Sequence, residues 1–187
     1  MSLEGPTAEN LAGSLLVAHP GLTDPNFRRT IIFLSQHSAD DGAIGLVLNR
    51  PLKKTFGELA VGGQPGDLDQ VELFYGGPVA DDQLTLASLL WVDKPAAVAF
   101  HSYMGSGLAD VKIDPPWPSG LRGFLGYAGW SRGQLESEIA QNAWIVRPPS
   151  REFIEREDPE NAWREIMRNS GPMMKLLAEA PDDPELN

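Results

Sequence analysis

Residues 11–51, LAGSLLVAHPGLTDPNFRRTIIFLSQHSADDGAIGLVLNRP, contain three short apolar runs separated by turn chemistry. Leu15-Leu16-Val17-Ala18 stops at His19-Pro20-Gly21, and Thr30-Ile31-Ile32-Phe33-Leu34 is rich in β-branched and aromatic residues. Ala43 to Asn49 follows after a turn at Ser38 to Gly42. Continuous apolar runs of this length, bounded by Pro, Gly, Asn and Asp, predict strands buried on both faces. The short loop between the second and third runs predicts an antiparallel pair, because a parallel one needs a crossover of a dozen or more residues. Pro51, which lacks a backbone N–H, is expected to take the chain out of the sheet.

Downstream, Val71 to Tyr75, Gly76-Gly77-Pro78 and the alternation around Leu84 and Leu86 predict strand, tight glycine turn, strand. Ala96 to Tyr103 and Leu121 to Tyr127 predict two more strands, with a surface loop at Asp114 to Gly120, where three prolines fall in seven residues. Two helices are well signalled. Ser131-Arg132-Gly133-Gln134 has capping-box form, with Leu135, Ile139 and Ala143 on one face of a helix over about 132–142. Asp158-Pro159-Glu160 predicts an N-cap followed by the apolar stripe Ala162, Trp163, Ile166 and Met167, ended by Gly171-Pro172. Strands fill the first two thirds and helices the last, without βαβ alternation, so the fold class is α+β in one domain over residues 11–180. Residues 1–10 and the acidic 181–187 are expected to be frayed tails.

At 187 residues with 42% hydrophobic and 22% charged residues, the chain can bury roughly 70% of its unfolded surface and needs no metal or disulfide. It contains no cysteine, which removes thiolate nucleophiles, iron–sulfur clusters and redox switching. Neither a signal peptide nor an apolar run of membrane-spanning length is visible, so a cytoplasmic location without membrane attachment is expected. The net charge of -11 repels phosphate backbones and counts against direct nucleic-acid binding. One segment runs the other way: Arg28, Arg29, Arg50, Lys53 and Lys54 face only Asp40 and Asp41, and form a candidate nucleic-acid or anion surface. Paired surface charges are the plainer reading of the same residues.

Gly129-Trp130-Ser131-Arg132-Gly133 matches the nucleophile elbow Gly-x-Ser-x-Gly and lies between an expected strand and an expected helix. The elbow's histidine should follow the serine, yet His19, His37 and His101 all precede it. Ser131 already has a capping role, and His101 is a general base only if the fold supplies a carboxylate. Catalysis therefore rests on two weak candidates, Ser131 and His101. No spacing points to a metal, and neither Gly105-Ser106-Gly107 nor Gly126-Tyr127-Ala128-Gly129 completes a dinucleotide fingerprint, so no cofactor is expected. Glu136 and Glu138, two apart on a helix, read as solvated charges.

These blocks together resemble the AlgH/YqgE family, bacterial proteins of undefined biochemical activity, some of them labelled transcriptional regulators. The resemblance runs through Leu15 to Pro20, Asp24-Pro25-Asn26-Phe27-Arg28-Arg29-Thr30, Gly42 to Pro51, Gly76-Gly77-Pro78-Val79 and Trp163-Arg164. It is strongest over Gly126 to Trp130, Gly133 to Glu136, Glu138-Ile139 and Ala143-Trp144. It implies a bifurcated, largely antiparallel sheet with a partly barrel-like portion flanked by helices. Some family members carry a cysteine where this chain has Ser35-Gln36-His37, so thiol chemistry does not transfer. Many also have a longer, helical stretch before Gly126. Arg28, Asn49, Arg50, Tyr127 and Trp130 fall in the signature blocks, and would form a pocket for an anionic or planar ligand if the strand ends meet. The alternative is that the arginines pair with Asp24 or Glu136 and the aromatics fill the core. The function expected is a non-catalytic binding or regulatory protein acting on a protein or a small anionic ligand. A hydrolase using Ser131 or His101, and direct nucleic-acid binding, are the alternatives.

Overall fold

The computed structural model describes residues 10–59, 68–103 and 120–180. The two tails beyond them, the Gly105-Ser106-Gly107 stretch and Asp114 to Ser119 of the proline loop lie outside the described residues.

Nine strands occur in the described residues: β1 (Leu15–Ala18), β2 (Ile31–Ser38), β3 (Gly42–Val47), β4 (Pro51–Thr55), β5 (Glu72–Tyr75), β6 (Val79–Asp93), β7 (Ala96–Tyr103), β8 (Leu121–Trp130) and β9 (Trp144–Arg147); the one-turn helix α1 (Phe56–Leu59) follows β4. They form one mixed sheet, ordered β4-β5-β8-β3-β2-β1-β9, with the long β6–β7 hairpin branching from β8. It curls into a half-barrel with helices packed on it, an α+β single domain. Every pairing is antiparallel except β5 with β8.

The fork lies in β8. Its first half, Gly123 to Leu125, is paired by β5 on one edge and β6 on the other, and its last three residues pair with Ala43 to Gly45 of β3. At the crossing point Gly76 and Gly77 lie against Gly126 and Tyr127. A Cβ on Gly77 would meet the Tyr127 carbonyl carbon at 2.2 Å, and one on Gly126, where φ is +70°, would meet the Gly77 oxygen at 2.2 Å. Backbone atoms cannot yield as a flexible side chain can, so this crossing admits glycine alone. Gly76-Gly77-Pro78 is thus not a hairpin turn, as the sequence implied: β5 and β6 pair with β8 and not with each other.

Both faces of the sheet are covered, which is why β1 and β2 read as unbroken apolar runs. Alternate residues divide between two cores. Leu15, Val17, Ile31, Phe33, Leu46 and Leu48 pack with Phe153, Trp163 and Met167 from α3 (Arg151–Ile154) and α4 (Ala162–Arg168). Leu16, Ala18, Ile32, Leu34 and Val47 pack with Trp130, Leu135 and Trp144 beneath α2 (Gln134–Ala140), here called the tryptophan core. The indole N–H of Trp163 donates to the Ala18 carbonyl at 2.8 Å and ties α4 to β1.

Local readings are corrected in four places. Strand β3 already ends at Val47, and Pro51 does not leave the sheet but opens β4, where a first residue needs no ladder donor, and pairs with Phe74. The capping box is half formed: Gln134 reaches back to the Ser131 N–H at 3.1 Å, but Gly133, in a left-handed conformation, is the N-cap, and the Ser131 hydroxyl donates to Gln134 Oε1. Helix α4 starts at Ala162 rather than Pro159, with Asp158 bonded to the Asn161 amide. Gly171-Pro172 ends α4 and also opens α5 (Pro172–Glu179), because proline suits the first helical turn. No helix among the described residues is long and apolar enough to cross a membrane.

Candidate functional site

Four strands, β2, β3, β6 and β8, build a cleft of about 360 Å3 at the C-terminal end of β8. Ile44 lies opposite Gly129 and Val79 opposite Tyr127, so β3 and β6 flank β8, and His37, Gln36 and Trp130 complete the lining. Ile44 and Val79 are 37% and 38% exposed, a high value for branched apolar side chains at paired strand positions.

His37 and Trp130 in this cleft are already committed to the framework. The side chain of His37 is only 4% exposed; its Nδ1 accepts from the Leu11 N–H at 3.1 Å, and its Nε2 lies 2.9 Å from Glu136 Oε1. A ring nitrogen that accepts from a backbone N–H carries no proton, which assigns the proton to Nε2 and directs it to Glu136. Trp130 and Trp144 both donate to Glu138 Oε2, at 2.8 and 2.7 Å, while Glu138 Oε1 accepts from Gln134 Nε2 at 2.9 Å. Phe27 stacks on Trp130 with ring centres 6.1 Å apart and meets Trp144 edge to face at 5.7 Å. Glu136 and Glu138 are therefore not the free charges their spacing implied. Their partners come from β2, β8 and β9, and local pattern does not reveal them.

The five residues of the expected pocket divide into two groups. Tyr127 and Trp130 line the cleft. Asn49 and Arg50 instead hold the loop between β1 and β2, to which Arg28 belongs. Asn49, 6% exposed, accepts from the Ile31 N–H at 2.8 Å and donates to the Arg29 carbonyl at 2.9 Å. Arg50 donates to the carbonyls of Asn26, Pro25 and Arg28 at 2.9, 3.3 and 3.1 Å, and lies over the Tyr75 ring. Burial lowers the Arg50 pKa from its ordinary value, and burial also raises that of Tyr75.

The basic segment is spread out by the fold. Arg29 donates to the Ala180 carbonyl and covers Trp163, Lys53 pairs with Glu160 at 3.3 Å, and Arg28 and Lys54 are exposed. Ser131 stands at the strand-to-helix turn, but its hydroxyl bonds to an amide oxygen, which is no base. His101 is exposed on β7 against the Tyr103 ring, with no carboxylate bonded to it among the described residues. No three of His, Asp and Glu converge to hold a metal ion among those residues.

The family model described as DUF179, AlgH-like, matches residues 15–175. A curated relative named UPF0301 protein, from Thermobifida fusca (strain YX), is 38% identical over 191 residues, covering 95% of this chain and 96% of its own. Another, from Streptomyces coelicolor, is 36% identical with the same coverage. Among solved structures, the solution structure of the AlgH protein from Pseudomonas aeruginosa is similar with a TM-score of 0.64 and 26% identity, over 96% of this chain and 98% of that one. Protein DIP2367 from Corynebacterium diphtheriae, at 21% identity and a TM-score of 0.64 over 96% and 95% of the two chains, shares the fold.

Proposed function

The chain belongs to the AlgH-like family, and from that premise we propose that it is a non-catalytic binding protein whose regulatory output runs through the cleft of Ile44, Val79 and Tyr127. The observation that carries this reading is the division of labour in the cleft. Its one histidine, His37, is spent on the framework through both ring nitrogens, and Ser131 beyond its lining bonds to Gln134, while the apolar side chains of Ile44 and Val79 are left uncovered. A general base needs a free lone pair within reach of a substrate proton, and a nucleophile needs a base beside it. A contact surface needs exposed apolar area with a polar rim, and Ile44 and Val79 beside Gln36, Ser38 and Asp41 supply that. The occupant is a protein segment or a small ligand with an apolar portion. The protein works in the cytoplasm, and its transcriptional effect, where it has one, is indirect, since the net charge of -11 opposes a direct hold on nucleic acid.

The test is saturation-transfer NMR with a library of small aromatic and aliphatic fragments on the native chain and on Val79→Arg. Fragments that bind the native chain and lose at least about tenfold in affinity to the variant support the reading, as expected when a charge enters an apolar contact. Equal binding to both chains removes the cleft as the site. Ester hydrolysis abolished by Ser131→Ala, or salt-dependent oligonucleotide binding lost when Arg28, Lys53 and Lys54 become glutamine, would overturn it in favour of an enzyme or a nucleic-acid-binding protein.

A further inference from the structure

Strand β9 breaks its own pattern at one position. It pairs with β1 so that Val17 is opposite Ile145 and Leu15 is opposite Arg147. Residues directly opposite, and residues two apart on one strand, share a face of the sheet, so Ile145 and Arg147 stand on the side of Leu15 and Val17. Leu15, Val17 and Ile145 all pack into the core under α3 and α4. Arg147 therefore brings a guanidinium to a face that is otherwise apolar, where a charge is expensive unless something is gained by it.

Its partners do not use the charge. Nη2 donates to Ser170 Oγ at 2.7 Å, and Ser170 in turn donates to the Ile166 carbonyl at 2.6 Å, which fixes the guanidinium in place. Nε is buried without any hydrogen-bond partner, and no carboxylate pairs with Arg147 among the described residues. Arg147 also lines a cavity of about 300 Å3, whose apolar wall is Leu15, Val17, Phe153 and Ile166. The other arginine of the cavity, Arg156, is taken: it grips Glu165 with two bonds of 2.8 Å. Glu152 stands on the rim. The cavity thus offers one uncommitted cation, an apolar wall and acidic neighbours. It shares no lining residue with the cleft at Tyr127.

We infer that this cavity binds a small organic monoanion, a carboxylate held by Arg147 with an apolar body against Leu15, Val17, Phe153 and Ile166. A planar carboxylate can take the Nη1 hydrogens and the second Nη2 hydrogen, which Ser170 leaves unused. A doubly charged phosphate would need a second free cation, but Arg156 and Glu165 neutralise each other and Glu152 repels it. The cavity has about twice the ~150 Å3 that accommodates a benzene ring, which sets the body at one ring or a short alkyl chain.

Isothermal titration calorimetry on the full chain with benzoate, hexanoate, benzyl alcohol and inorganic phosphate tests this. Saturable binding of benzoate or hexanoate is expected, with benzyl alcohol and phosphate at least about tenfold weaker, the effect of one lost charge-assisted contact. Arg147→Met, which keeps the volume and removes the unpartnered donor, should lose the carboxylates by a similar factor while melting no lower than the native chain. Val79→Arg should bind them as the native chain does, which separates this site from the cleft. Should Arg147→Met fail to fold, Ser170→Ala keeps the charge but releases the guanidinium, and weakened carboxylate binding is the expected result. Absence of saturable carboxylate binding, equal binding by native and Arg147→Met chains, or tighter binding of phosphate would overturn the inference.

Discussion

Trp130 and Trp144 meet edge to face with ring centres 5.9 Å apart and aim both indole N–H groups at the same oxygen of Glu138. Two strands and one helix are joined at that atom, since Trp130 ends β8, Trp144 opens β9 and Glu138 lies on α2. Both indoles are almost fully buried, so neither N–H can turn to water if the carboxylate is removed. Glu138→Ala is expected to destabilise the protein by roughly 2–4 kcal/mol, the cost of two buried unpaired donors, read from urea denaturation followed by tryptophan fluorescence. A loss below about half a kcal/mol would mean that the two bonds do not persist in solution.

The second expectation concerns Arg50, which donates to three carbonyls of the loop between β1 and β2. Lysine carries the same charge on one nitrogen and cannot reproduce that fork. Arg50→Lys should cost about 1–2 kcal/mol and speed amide exchange at Asn26 to Arg29, leaving β2 and β3 protected. Uniform acceleration across the sheet would assign Arg50 a global role instead.

At the fork of the sheet, Gly77→Ala places a Cβ 2.2 Å from the Tyr127 carbonyl carbon and should cost about 3 kcal/mol or more, or prevent folding outright. Gly133→Ala is the control: φ there is +71°, but nothing lies within 4 Å of the added carbon, so only the backbone penalty of about 1–2 kcal/mol applies. Similar losses at the two positions would show that the tight crossing relaxes easily.

Stability should also fall in acid through a specific pair. The hydrogen bond from Arg156 lowers the Glu165 pKa below its ordinary 4.5, with their charge attraction acting the same way. A carboxyl whose folded pKa is depressed contributes stability that is complete above the unfolded value and is lost as pH falls through the folded one. Arg156→Met should therefore flatten the stability-against-pH curve below 4.5 and leave its shape at neutral pH unchanged. An unchanged acid slope would remove the pair from the acid response.

What the sequence makes legible follows from where each element's partners lie. Strands β1, β2 and β3 are readable because most of their apolar residues are buried on one or other face of the sheet, so their runs owe little to register. The short β9 is hidden because Trp144-Ile145-Val146-Arg147 follows directly on the α2 stripe and ends in a charge. Helix α5 is masked by Gly171-Pro172, a pair that reads as a stop although proline is equally at home in a first turn. In the site, Tyr127 and Trp130 are visible from the signature block alone. Val79 and Glu138 lie in such blocks too, but their roles, like that of His37, arise from contacts between strands and α2 that no local pattern reveals. The bifurcation itself came from the family resemblance; periodicity carries no information about which edge of β8 a distant strand will take.

The shared strand β8 imposes an order of events on synthesis. Strands β3, β5 and β6 all precede it in the chain, and each must present an unsatisfied edge until Leu121 to Trp130 has left the ribosome. Neither branch of the sheet can close early, because the same ten residues complete both. For that interval the nascent chain carries open strand edges of the kind that pair with neighbouring chains, so its yield in the cell depends on how quickly β8 arrives and on what shields those edges beforehand.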